Sequence, residues 1–267
     1  MTRAPILMGI VNATPDSFSD GGRFLDPRAA VAHGLRLAEE GAAILDIGGE
    51  STRPGAEPVD LDEELARTIP VIEGLKGKTQ ARLSIDTRKP EVARAAVAAG
   101  ASVWNDVTAL SYEPESLAVA ASLDCDIVLM HARGDPRTMQ DDPRYDDVVG
   151  EVCAYLAGRI DAAEAAGASR ARLIVDPGVG FGKTVVHNLV LLANIPRFAA
   201  LGCPVLIGAS RKRFIAALDR PGEASDRLGG SIAAALAAAS GGAAILRVHD
   251  VAATRQALAV ARAITGA

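Results

Sequence analysis

Chemistry-bearing side chains recur along this chain at one kind of place, the residue or two that close a short apolar run. Asn12, Asp46, Asp86, Asn105 with Asp106, His131, Asp176, Ser210 to Lys212, and Arg247 with His249 all stand there. A lone carboxylate or amide in that position often just caps the next loop or helix. Eight such groups gathered on one face would be harder to dismiss as caps, and would mark a candidate site. Arg247 and His249 are two residues apart, so on a strand their side chains share a face. Arg247 suits phosphate, with a surface ion pair as the alternative, while His249 by itself leaves that role and a structural one open.

Two longer segments follow the first two runs. Asn12–Gly22 and Gly48–Ala56 are rich in Gly, Pro and small hydroxyls, the composition of loops that order over a ligand. Phe18, in the first of them, would be wasted there without something to pack on. Two other stretches imitate known motifs. Gly178-Val-Gly-Phe-Gly-Lys-Thr184 looks like a phosphate loop, but Pro177 stands where that pattern needs glycine, and no helix is expected to open at Lys183-Thr184. Lys183 is expected to be a loop charge near the site, without a defined role. Arg211-Lys212-Arg213 reads as one substrate lysine and the start of a helix, and not as a nucleic-acid patch.

The elements that must position these residues alternate regularly. The apolar runs are Pro5–Val11, Ala43–Gly48, Arg82–Asp86, Ser102–Val107, Asp126–Met130, Leu173–Asp176, Pro204–Gly208 and Ala243–Val248. Each suits a parallel strand buried on both faces. Helical patterns lie between them, among them Pro27–Glu40, Pro90–Ala99 with Pro90 in the first turn and Gly100 as stop, and Val148–Ala166. Eight such units predict an α/β fold, a single-domain eight-stranded β/α (TIM) barrel over residues 1–267. A doubly wound sheet is the competitor, and its dinucleotide-binding version lacks the expected G-x-G-x-x-G after the first strand. In a barrel all the polar strand ends meet on one face, where catalytic sites sit.

Composition narrows the classes. Hydrophobic residues make up 49% and charged residues 23% of 267, with no linker-like stretch, as expected of one large core. A net charge of −5 disfavours nucleic acid as a partner, so an anionic substrate needs positive charge concentrated in one site. Cys125, Cys153 and Cys203 are scattered and form no C-x-x-C pair, and the four histidines show no H-x-x-x-H spacing. A disulfide framework and a structural zinc are therefore not expected. The start is too soon polar for a signal peptide, and the Ala-rich run Ile232–Leu246 is broken by Ser240, Gly241 and Gly242 and too short for a membrane span. A cytoplasmic protein with no membrane partner is expected.

The strings themselves carry a resemblance. Asn12-Ala-Thr-Pro-Asp-Ser-Phe-Ser-Asp-Gly-Gly22 and Ile44-Leu-Asp-Ile-Gly-Gly-Glu-Ser-Thr-Arg-Pro-Gly-Ala56 resemble the two signatures of dihydropteroate synthases. Ser84-Ile-Asp-Thr, Trp104-Asn-Asp-Val, Val128-Leu-Met-His, Asp176-Pro-Gly-Val-Gly-Phe-Gly-Lys, Gly208-Ala-Ser-Arg-Lys and Arg247-Val-His-Asp-Val follow in that family's order, over about residues 6–262. The resemblance implies condensation of a dihydropterin methyl diphosphate with para-aminobenzoate, releasing diphosphate, in folate biosynthesis. It implies a pterin site of Asp86, Asn105, Met130, Asp176, Gly208 and Lys212. Asp176 would take the ring N–H and exocyclic amine together, and Met130 would lie against the ring face. Asn12, Arg53, Arg247 and His249 would hold the diphosphate, with Mg²⁺ on the Asn12 amide oxygen. Phe18, Thr52, Arg53, Pro54, Phe181, Ser210 and Lys212 would line the para-aminobenzoate pocket. Asp86, Lys212, Arg247 and His249 are the residues expected to assist the chemistry.

One departure stands out. His131-Ala-Arg-Gly-Asp-Pro-Arg-Thr-Met-Gln140 differs from the family's commoner Met-His-Met-Gln-Gly opening, and an altered loop with retained activity is expected. Asp219–Asp226 has no assigned role. The rival readings are a catalytically silent pterin-binding paralogue, a pterin-dependent methyltransferase barrel with a corrinoid partner, and a sugar-phosphate barrel enzyme. The resemblance also implies a homodimer and competition by sulfonamides, which mimic para-aminobenzoate. Small residues in Ile232–Ser240 would allow close helix contact between subunits, but packing against the chain's own barrel explains them equally.

Overall fold

The computed structural model describes residues 4–14, 27–51, 58–134 and 138–266. Eight parallel strands form one sheet: β1 (Ile6–Asn12), β2 (Ile44–Gly48), β3 (Arg82–Asp86), β4 (Val103–Asp106), β5 (Asp126–Met130), β6 (Leu173–Asp176), β7 (Leu206–Ile207) and β8 (Ile245–Val248). Their spatial order is β6-β5-β4-β3-β2-β1-β8-β7. The remaining seam, between β6 and β7, is joined by a bridge from Val175 to Val205, with Val175 N–H donating to Pro204 O at 2.9 Å. The sheet thus closes into the expected barrel. The seventh run is expected at Pro204–Gly208 and pairs regularly only at Leu206–Ile207, because at the seam a bridge replaces a ladder.

Helices wrap the outside: α1 (Pro27–Glu40), α2 (Leu61–Leu75), α3 (Pro90–Ala99), α4 (Ser116–Ser122), α5 (Val148–Ala165), α6 (Val185–Ala193), α7 (Ile195–Ala199), α8 (Arg213–Leu218), α9 (Leu228–Ser240) and α10 (Val251–Gly266). Their ends follow ordinary rules. Pro90 opens α3 and Gly100, at φ 131°, closes it. Asp60 caps α2 by accepting from Glu63 N–H at 2.8 Å. The small residues of α9, Ser231, Ala234, Ala235 and Ala238, are buried against this chain's own barrel. Asp219–Asp226 runs into a short 3₁₀ turn at Ala224–Arg227. None of the described helices is long and apolar enough to cross a membrane. The three cysteines are free; Cys125 and Cys203 are buried and Cys153 half-buried.

Two cores result. The larger lies between strands and helices. The smaller plugs the barrel: Met8, Ile44, Val103, Val128, Ile174, Leu206 and Ile245 form one inward-facing layer. Strand side chains alternate faces, so the next inward position is two residues further on. From that layer it reads Ile10, Asp46, Asn105, Met130, Asp176, Gly208 and Arg247. The polar groups of the sequence are therefore stacked directly above an apolar floor, at the C-terminal mouth.

Candidate active site

The mouth is organised around a residue outside the expected site set. Asp46, 0% exposed, accepts from Ser84 Oγ at 2.6 Å, Asn105 Nδ2 at 3.0 Å and Arg247 Nε at 2.6 Å. The sequence carries its signal: Asp46 lies within β2 two residues after the inward Ile44, the relation Asn105 bears to Val103. Arg247 also donates through Nη2 to Asp86 Oδ2 at 2.7 Å. It is thus part of a buried ion cluster and not a surface pair. Burial opposes its charge, but Asp46 and Asp86 outweigh that and raise its pKa. Asp86 faces Asn105 in register and is pushed up to about 7 by burial, with Arg247 holding it back and Asp46 adding to the rise.

Asp176 lies across the mouth, in register with Met130. Its Oδ1 accepts from Gly178 N–H at 2.7 Å. Burial raises its pKa to about 6, against that hydrogen bond and the charges of Lys212, Lys183 and Arg247. Lys212 holds its Nζ 4.0 Å from the Phe181 ring centroid. Arg247 and His249 have different partners: Arg247 reaches Asp46 and Asp86, while His249 Nδ1 stands 3.0 Å from Ser210 Oγ, and the His249 backbone N–H donates to the same oxygen at 3.3 Å. Asp250 orients Arg211, accepting from Nη2 at 2.6 Å and Nε at 3.0 Å.

So the structure brings together Asp86, Asn105, Met130, Asp176, Gly208 and Arg247 on one level, with Lys212, Phe181, Ser210 and His249 from the connecting segments around them. Phe18, Thr52, Arg53 and Pro54 lie outside the described residues. Asn12 ends β1 beside Gly48. The described residues contain no cluster of three acidic, histidine or cysteine ligands. The Asn12 amide oxygen is a donor of the kind Mg²⁺ takes beside substrate phosphates and water.

Two sequence expectations need correction. A helix does open at Lys183-Thr184: Thr184 caps α6 by accepting from His187 N–H at 3.2 Å, and His187 Nδ1 accepts from Thr184 N–H at 3.2 Å. The loop is still no phosphate cradle, because its glycines press on protein. A Cβ at Gly178 (φ 70°) would lie 1.8 Å from His131 O, and one at Gly182 (φ 63°) 2.2 Å from Arg133 O. Lys183 is no loose loop charge either. It is 2% exposed, with Nζ bound to protein acceptors.

The chain is similar to known proteins in sequence and fold. The family model described as "Pterin binding enzyme" matches residues 8–249. A dihydropteroate synthase of Synechocystis sp. is 47% identical over 259 residues, covering 97% of this chain and 89% of that relative. The Xanthomonas albilineans dihydropteroate synthase solved with 4-aminobenzoic acid is 57% identical, with a TM-score of 0.93 over 99% of this chain and 94% of that one. The same enzyme solved with 7,8-dihydropteroate gives 54% identity and a TM-score of 0.90, covering 99% and 95%.

Proposed function

The chain belongs to the pterin binding enzyme family, among its dihydropteroate synthases, and on that premise we propose that it joins (7,8-dihydropterin-6-yl)methyl diphosphate to para-aminobenzoate, giving 7,8-dihydropteroate and diphosphate in folate biosynthesis. The observation that carries this reading is the single polar level above the apolar floor, where Asp86, Asn105 and Asp176 surround a slot edged by Met130.

Asp176 accepts the pterin ring N–H and exocyclic amine, Asn105 and Asp86 bond the remaining ring nitrogens, and Lys212 donates to the ring's acceptors. The methylene carbon then lies toward Arg247 and His249. Ser210 Oγ receives the His249 backbone N–H and gives its own proton to Nδ1, which leaves the imidazole proton on Nε2, the edge offered to an anion. Asp46 and Asp86 fix the Arg247 guanidinium, whose Nη1 has no partner among the described residues. Phe181, Ser210 and Lys212 face the second substrate, and by resemblance to the family Phe18, Thr52, Arg53 and Pro54 would join them, with Arg53 also serving the diphosphate.

The C–O bond to diphosphate breaks ahead of C–N bond formation, because the electron-rich pterin carries positive charge on the adjoining carbon. The aryl amine attacks with its nitrogen lone pair and then sheds a proton to water. No general base is needed before attack, since an aryl amine is unprotonated at neutral pH. Ionised Asp86 lies against the cationic pterin and stabilises it. Mg²⁺, when held by Asn12 and the diphosphate, would neutralise charge on the leaving group.

The enzyme works in the cytoplasm as a homodimer. Val186, Leu189 and Val190 form an exposed apolar stripe along α6, which a second copy would cover.

The test is diphosphate release from pterin methyl diphosphate with para-aminobenzoate and Mg²⁺. Release that requires the amine and stops on chelation supports the reading. Pterin binding without release would identify a silent paralogue and end it. A sulfonamide should raise the apparent KM for para-aminobenzoate and leave kcat unchanged.

A further inference from the structure

We propose that Lys183 is a positioning residue of the pterin slot: its buried ammonium ties the end of β5 to the segment after β6 and lends its charge to Asp176. The inference rests on the slot being the pterin site.

The geometry begins with three acceptors. Lys183 Nζ lies 2.9 Å from Phe181 O, 3.0 Å from His131 Nδ1 and 3.3 Å from His131 O. Three acceptors match the three protons of an ammonium group. Each acceptor belongs to a residue that adjoins or touches a slot residue. His131 follows Met130, and its N–H donates to Asp176 O at 3.0 Å. Phe181 bears Lys212 on its ring. Gly178 and Gly182 let the two segments approach until a side chain of any size at either position would clash. Other ties hold the same seam: Gln140 Nε2 donates to Gly180 O at 2.6 Å and Tyr145 Oη to Gly182 O at 3.0 Å.

A neutral donor could make such ties without the cost of burying a charge. The charge has a target. Around Lys183 stand Asp176 from β6, which favours it, and Lys212 and Arg133, which oppose it. His131 and Tyr145 flank it from the segment between β5 and α5, and His187 from α6. Burial pushes Lys183 down to about 7, and its cation is among those that keep Asp176 from rising further. At neutral and lower pH the buried lysine therefore favours the ionised carboxylate that grips the ring.

The experiment is calorimetry of 6-hydroxymethyl-7,8-dihydropterin binding to the intact enzyme and to Lys183→Met, at pH 6 and pH 8. Without the cation Asp176 should ionise at higher pH, so the variant's loss of affinity should be severalfold greater at pH 6 than at pH 8. A purely structural tie would lose the same factor at both, and that result overturns the inference while leaving the site reading intact. No binding by the unaltered enzyme removes the reading and the inference together. If the variant does not fold, ¹⁵N NMR of the unaltered protein decides. His131 should stay neutral with its proton on Nε2 from pH 5 to 7, whereas a proton on Nδ1 refutes the donor role given to Lys183.

Discussion

Replacing Asp176 with Asn separates what the site needs from what the fold needs. Burial lifts this carboxyl from 3.8 to about 6, and it is 6% exposed, so little solvent screening applies. The sign follows from proton counting. Between those two values the unfolded chain binds fewer protons than the native one, so wild-type stability falls as pH rises through the window and stays low above it. A displacement of about two pH units corresponds to roughly 3 kcal/mol at pH 7.5, about half of which develops between pH 5 and pH 7.5. Asparagine does not titrate and still offers an oxygen to Gly178 N–H. In the empty protein, Asp176→Asn should therefore exceed wild type in stability by a margin that widens with pH. Urea unfolding at pH 5 and 7.5 measures it. The same change should weaken pterin binding about a hundredfold or more, since two charge-assisted bonds at about 1.5–3 kcal/mol each are lost. A stability difference that stays constant with pH would show that Asp176 is not held against its ionisation.

Other changes probe other parts of the molecule. Gly178→Ala should unfold or severely weaken the protein, because φ is 70° and the new carbon would meet His131 O. Gly158→Ala, in the middle of α5 with open space around it, should instead raise stability by about 0.5–1 kcal/mol in thermal melts. Asp46→Ala leaves Ser84, Asn105 and Arg247 without their shared acceptor and should cost about 3 kcal/mol or more in denaturant unfolding. Arg247→Gln removes the cation that restrains Asp86, so Asp86 should ionise above its value of about 7, and the acid limb of the kcat/KM profile should move to higher pH.

The barrel and most of the slot are legible in the linear chain because both depend on local alternation. An inward residue reappears every second position, so Asn105, Asp176 and Arg247 follow Val103, Ile174 and Ile245 by a rule visible without coordinates. Partnership is not legible in that way. Arg247 meets Asp46 and Asp86 across intervals of 201 and 161 residues, so the diphosphate pairing expected of Arg247 and His249 gave no hint that one turns inward and the other toward Ser210. Lys183 is the clearest case. A lysine among glycines reads as solvated, and only the packing of two distant backbone segments supplies the carbonyls that let it be buried. Gly178, Gly180 and Gly182 read as loop and mask the helix start, although Thr184 itself is a good cap.

Beneath the slot, the seven apolar side chains from Met8 to Ile245 and the polar level above them are successive steps of the same strands. Adding one residue between the two would therefore turn the upper set to the other face, sending a carboxylate outward and an aliphatic group into the mouth. Strand length is thus frozen in whole pleats. New ligand preferences can enter only as substitutions in place or as rewritten connections at the rim. The unusual Ala132-Arg133, lying in a connection and leaving every strand untouched, is a change of the permitted kind.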